Sequence, residues 1–285
     1  MRWTPSGRSA DLEDRRGMGG GTKLGLGGFL LLAILSFIFK TDLFTLVGGG
    51  GASQPTAVDN SAPVPTSPEE EKQIQFVSTV LDDTQRTWGK VFADSGQQYR
   101  NAKLAIFTDA VQTGCGTAGA AMGPFYCPVD ERVYIDLTFY NELVQRFGAP
   151  GDFAQAYVIA HELGHHVQNL IGTSDQVRSA QQQNPGAANE LSVRLELQAD
   201  CYAGIWAHSM NPDLRGANEP ALDPGDIEEG INAAAAVGDD RIQRQSGGDV
   251  NPETWTHGSA KDRARWFQTG YQSGNVDSCD TFRGL

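Results

Sequence analysis

The segment His161-Glu162-Leu163-Gly164-His165 constrains this chain more than any other. Its flanks are apolar: Tyr157, Val158, Ile159 and Ala160 precede it, and Val167, Leu170 and Ile171 follow. So apolar a run predicts a buried helix, whose histidines then need a partner. Side chains four apart share one face of a helix. His161 and His165 can therefore offer two imidazole nitrogens to one zinc ion at about 2.0–2.1 Å. Glu162 is displaced around the helix from that pair. It can reach a water at the metal, as the general base of metal-assisted hydrolysis must. The competing reading is two exposed histidines on an ordinary helix.

A second helix tips the balance. Glu196-Leu197-Gln198-Ala199-Asp200 again places two side chains four apart. Leu195, Leu197, Ala199, Tyr202, Ala203 and Trp206 make this helix apolar too, and a buried carboxylate pair without a partner is costly. A catalytic zinc takes three protein ligands and leaves a fourth position open. Glu196 can be the third ligand, and Asp200 can orient a ligand histidine through a hydrogen bond. A solvated acidic face is the bland alternative. A metzincin would need Gly at position 168 and His at position 171, where this chain has Gln168 and Ile171. The third ligand is therefore expected from another helix.

Charge excludes one class of partner. The formal net charge is −13. Residues 1–23 carry five basic against three acidic side chains, whereas from Gly48 onward 16 basic side chains face 31 acidic ones. An acidic body argues against nucleic acid, since phosphate binding needs clustered Lys and Arg.

The run Leu24–Phe39 has no charge and is rich in Leu, Ile and Phe. A bilayer core needs roughly 20 apolar residues, so a transmembrane anchor over 24–47 requires Lys40 to snorkel or the helix to continue to Val47. A cleaved signal peptide is the rival. Under the anchor reading, residues 1–23 form a disordered cytoplasmic segment by the positive-inside rule. Residues 48–69, rich in Gly, Pro, Ser and Ala, form a linker, and 70–285 form one extracytoplasmic domain. Cys115, Cys127, Cys201 and Cys279 allow two disulfides there. Cys115 with Cys127 flank one short segment, and Cys201 with Cys279 would then tie the C-terminal tail to the core. Free buried thiols are the alternative.

Periodicity predicts helices over Glu70–Asp94, from an Asp152 cap to about Ile171, and over Asn189–Met210, Asp226–Asp239 and Ser259–Tyr271. Lys103–Phe107, Phe125–Cys127 and Val133–Leu137 read as strands, the last two joined by a turn at Pro128–Glu131. The expected class is α+β, mainly α, with a small antiparallel sheet.

The chain as a whole resembles the bacterial putative neutral zinc metallopeptidase family. MRW…LEDRRG, GPFYCPVDERVYIDLTFY, AYVIAHELGHHVQNL, ELQADCYAGIWA and THGSAKDRARWFQTGY with CDTF carry the likeness. The quoted helices look like the gluzincin arrangement. The resemblance implies a zincin-like peptidase domain holding one zinc on His161, His165 and Glu196, with Glu162 catalytic, Asp200 orienting a histidine and a peptide or protein as substrate. It also implies an edge strand for substrate, placed at Gly119–Cys127 against Arg132–Leu137, where a purely structural hairpin is the other reading. Thr256-His257-Gly258 with Arg263 is similar to a Thr-His-Pro…Arg segment of membrane-associated gluzincins, with Gly258 in place of Pro. His257 or Tyr202 would then donate to a developing oxyanion. His166 and His208 are expected to be structural. A non-catalytic, zinc-stabilised, membrane-tethered interaction module and a zinc hydrolase of non-peptide bonds are the competing functions.

Overall fold

The computed structural model describes residues 1–17, 64–246 and 249–283. The expected anchor over 24–47 and most of the linker lie outside these residues. Among the described residues no helix is long and apolar enough to cross a membrane.

Helix α1 (Pro68–Asp94) begins where local chemistry favours it. Ser67 caps it by accepting from the Glu70 amide at 3.1 Å, and Pro68 occupies the first turn, where its missing N–H costs nothing. Glu69, Glu70 and Glu71 complement the positive end of the helix dipole. Its Ile74, Val77, Val80, Leu81 and Trp88 are buried, as the periodicity predicts.

The sheet departs from expectation. Its strand order is β1 (Leu12–Asp14), β2 (Lys103–Phe107), β6 (Arg132–Asp136), β5 (Phe125–Cys127). β1 and β6 both run parallel to β2, and only β5 runs antiparallel. The sheet is thus mixed. A separate antiparallel hairpin joins β3 (Ala110–Thr113) to β4 (Gly116–Gly119), so the Gly-rich stretch is not part of the edge strand. The edge strand shrinks to Phe125–Cys127. The disulfides Cys115–Cys127 and Cys201–Cys279 both form.

Residues 1–17 are not disordered. The Leu12–Asp14 strand seats on β2, Arg2 bridges to Ala221, and the Trp3 ring packs edge-on against Phe76. These are contacts between residues far apart in sequence, invisible to local pattern. The α-ammonium of Met1 lies 2.6 Å from Asp152 and 3.1 Å from Asp226. Asp152 therefore makes an ion pair rather than the expected cap; the N-cap of its helix is Gly151.

Behind the sheet lie α2 (Phe139–Gln145), α3 (Asp152–Leu170), α4 (Thr173–Gln183) and α5 (Ala188–Ser209). Helices α6 (Asp226–Ala236), α7 (Asp239–Gln245) and α8 (Ala260–Ser273) follow. α2 and α4 have no strong sequence signal. The expected Asp226–Asp239 helix stops at Ala236, and α7 starts afresh after Gly238. The core joins Phe153, Tyr157, Ile159 and Leu163 of α3 to Trp206 of α5 and Phe267 of α8. Phe153 and Trp206 stack with centroids 5.6 Å apart. The buried Asp83 of α1 accepts from the Trp206 indole at 2.9 Å and pairs with Arg215 at 2.6 Å, which fixes α1 against α5.

Helices α5 and α8 approach until backbones touch. A Cβ at Gly204 would overlap the Phe267 carbonyl, and one at Gly270 would overlap that of Cys201. Gly270→Ala should therefore lower stability by at least about 1–3 kcal/mol, the usual cost of overpacking. Gly89→Ala, with nothing within 4 Å of the added methyl, should be neutral or slightly stabilising. Urea unfolding midpoints of the two variants check the contrast.

Candidate metal centre

The metal helix and its partner meet at one point. Gly164 favours this: a Cβ there would stand 3.0 Å from the Ala199 carbonyl oxygen, tight enough that a side chain would force α3 and α5 to adjust. Across this contact, ligand atoms of His161, His165 and Glu196 all lie within 4.8 Å of one another. His161 Nε2 is 3.2 Å from Glu196 Oε2, and His165 Nε2 is 3.3 Å from Glu196 Oε1. Two ligands about 2.0–2.1 Å from one tetrahedral ion stand about 3.3 Å apart. The spacing fits a zinc ion, and the donor set of two imidazoles and one carboxylate suits it.

The outward nitrogens are held as metal-bound imidazoles require. His161 Nδ1 lies 2.9 Å from Asp200 Oδ1, and His165 Nδ1 lies 2.8 Å from Gln168 Oε1. With Nδ1–H directed at these acceptors, the neutral form of each ring leaves the Nε2 lone pair for a metal. Gln168 is held by its own NH2, which donates to the Leu195 carbonyl at 2.7 Å and to Gln198 at 3.1 Å.

Asp200 is the hub of this support and is wholly buried. Besides His161 it accepts from the Tyr157 hydroxyl and from Arg263, whose Nε and Nη2 lie at 2.8 and 3.0 Å. Burial favours its neutral form, yet Arg263 and His161 hold its carboxyl below the usual carboxylate range. Glu196 is held well below that range too: burial opposes, and the two histidines prevail. For His161 burial again resists charge, but Asp200 and Glu196 push its pKa up to about 10. The pocket is thus built to hold positive charge between its carboxylates. Tyr157 and Gln168 carry no motif signal and escape a reading of the sequence. Arg263 shows itself there only through the Thr-His-Gly…Arg segment.

Glu162 lines an open cleft of about 660 Å³ with the three candidate ligands and His257. Its lining includes Phe125 and Tyr126 of β5 and the apolar side chains of Phe139, Phe147, Val158 and Ile242. β5 occupies a sheet edge beside the metal helix. Its Tyr126 hydroxyl lies 2.9 Å from His166 Nδ1, while His166 Nε2–H donates to the Arg100 carbonyl at 2.6 Å. His166, with its pKa lowered by burial, is thus a neutral strut between helix and edge strand. His208 bonds the Tyr271 carbonyl and is likewise structural.

His257 reaches the cleft and Tyr202 does not. Two residues beyond Asp200 on α5, Tyr202 points roughly opposite to the metal face. Its ring meets Trp88 edge-on at 5.1 Å inside a buried cluster, so Tyr202 is not placed as an oxyanion donor. His257 is set by Asp239, which the sequence does not reveal. Asp239 Oδ2 accepts from the amides of Thr256, His257 and Gly258 at 2.8, 2.6 and 3.0 Å, and Oδ1 lies 3.2 Å from His257 Nδ1. Gly258 has φ +94°, which proline cannot adopt. The departure from the Thr-His-Pro pattern is therefore a different turn, not a lost histidine.

Two imidazoles and a carboxylate on paired helices, with an acid beside them at a cleft, define a candidate metal centre of the hydrolase type. The chain belongs to the family described as "Putative neutral zinc metallopeptidase", which it matches over residues 1–282. The protein YpfJ of Escherichia coli (strain K12), described as uncharacterized, is 43% identical over 294 aligned residues that cover 99% of each chain. Rv2575 of Mycobacterium tuberculosis (strain ATCC 25618 / H37Rv), also described as uncharacterized, is 51% identical over 189 residues. That alignment covers 65% of this chain and 63% of the relative. No solved structure matches the chain.

Asp200→Asn should lower stability, by stranding Arg263, and weaken zinc binding in the folded protein about 10–100-fold, the usual cost of losing such a partner. Competition against a chromophoric chelator measures it. His165→Ala should remove stoichiometric zinc from the purified protein, as elemental analysis would show.

Proposed function

We propose that this protein is a zinc-dependent endopeptidase acting on peptides or proteins. The observation that carries the reading is the convergence of His161, His165 and Glu196, whose ligand atoms lie within 4.8 Å of one another, with Glu162 lining the cleft beside them. A purely structural zinc site closes its fourth position with another ligand and needs no base beside it. This one opens to a cleft and has such a base.

Zinc bound by these three side chains would polarise a peptide carbonyl and acidify a water. Glu162 takes a proton from the attacking water and later hands it to the leaving amine. Asp200, Arg263 and Tyr157 keep His161 in register throughout. Among the described residues β5 is an edge strand, so a substrate strand can pair with it antiparallel and gain sequence-tolerant hydrogen bonds. Phe139, Phe147, Val158 and Ile242 favour a large apolar side chain beside the scissile bond.

His257 supplies a hydrogen bond to the oxyanion from Nε2. With Nδ1–H directed at Asp239, Nε2 bears a proton only in the cationic ring. The hydrogen bond to Asp239 raises the pKa of His257 above its ordinary value. The donor is therefore present at lower pH and disappears as pH climbs through that raised value.

Glu162→Gln should retain zinc yet lose about 10²–10⁴-fold in kcat on a casein or peptide-library substrate. Activity equal to the unsubstituted enzyme in the metal-loaded variant would sink the proposal. The alkaline limb of the pH–rate profile should follow His257, and Asp239→Asn should move that limb to lower pH. His257→Ala should abolish the limb with a loss of about 10²–10³ in kcat.

A further inference from the structure

Residues 1–17 and the metal-bearing body form one folded unit, and the described residues on either side of 18–63 meet at a single spot. A methyl group added at Gly17 would stand 3.2 Å from Val64 Cγ2. Arg16 staples the two flanks together. Its side chain is 4% exposed. It binds Asp14 on the outgoing side, and on the returning side it donates to Thr66 Oγ1 at 3.0 Å and pairs with Glu70. Nearby, Arg8 bridges Asp14 to Glu71. Upstream of the staple, β1 is seated parallel on β2 through Leu12, Glu13 and Asp14. Glu13 also meets Arg132 of β6.

These contacts bear on the apolar run Leu24–Phe39, which lies between the two flanks in sequence. A single membrane crossing there would separate Gly17 from Val64 by a hydrocarbon core about 30 Å thick. That is incompatible with their adjacency and with β1 in the sheet. Two crossings would need roughly 40 apolar residues, more than the sequence holds between Leu24 and Val47. A return through the bilayer by residues 48–63, rich in Gly, Pro and Ser, would strand unpaired backbone in lipid.

We propose that residues 1–17 and the metal-bearing body lie on the same side of the membrane that the apolar run enters, joined there by the Arg16 staple. The lipid surface is a one-sided docking partner. The expectation of a cytoplasmic N-terminal segment facing an extracytoplasmic domain is replaced by a shared compartment.

The test uses the full chain in membranes of an expressing cell. All four native cysteines are in disulfides, so new ones report alone. Pro5→Cys and Gln98→Cys are exposed positions on the N-terminal segment and on the body. Both should react with a membrane-impermeant maleimide under the same condition, before or after lysis alike. Gly17→Cys combined with Val64→Cys should form a disulfide within one chain. It would hold the two fragments together after cleavage at a protease site introduced between them. Labelling of positions 5 and 98 from opposite sides overturns the proposal. So does failure of the 17–64 pair to close while both thiols remain reactive, and so does recovery of the unsubstituted chain wholly in the soluble fraction. None of these outcomes depends on peptidase activity.

Discussion

Gly164 faces Ala199 with no space for a side chain between them, and the candidate metal centre exists because of that contact. Ligand atoms on separate helices must come within about 3.3 Å of each other to share a tetrahedral ion. Imidazole and carboxylate arms are short, so only helices in near backbone contact can bring them together. The same close approach places Asp200 under His161 and lets Arg263 of α8 neutralise it from behind. α8 in turn reaches this depth because Gly204 and Gly270 let it lie against α5. Three glycines thus set the distances on which the chemistry rests.

Around this centre the fold supplies two unlike walls. One is the β5 edge of a mixed sheet, tied to the metal helix by the Tyr126–His166–Arg100 bridge. The other is a turn organised by Asp239, which presents His257 to the cleft. Neither wall lies on the metal helices. Glu162 lines the same cleft as both of them. Burying Arg263 between Asp200 and Glu196 keeps the supporting charges paired, so that the carboxylates stay ionised inside the protein.

Local pattern revealed the long helices well. α1, α3 and α5 each carry an apolar stripe and end within a residue or two of where periodicity puts them. Pairings between distant segments were not legible. β1 contributes three residues to a parallel edge whose partner begins at Lys103, and nothing in those three residues announces it. α2 and α4 are short or polar, so their helicity owes more to packing than to propensity. Tyr202 illustrates the same limit within a helix. The resemblance offered it as an oxyanion donor, but the helical turn sends it to Trp88.

Sequence alone was enough to identify the imidazole pair, the acid between them and a second helix with carboxylates at matching spacing. Spacing along one helix is a local property, and side chains four apart share a face in any fold. The tertiary structure added what supports them: Tyr157 and Arg263 on Asp200, and Gln168 on His165. It also decided that His257, held by Asp239, reaches the cleft while Tyr202 does not, and that the first residues of the chain belong to the same body as the site. Those facts depend on how distant segments pack, and packing is settled by the whole core rather than by any stretch of residues within it.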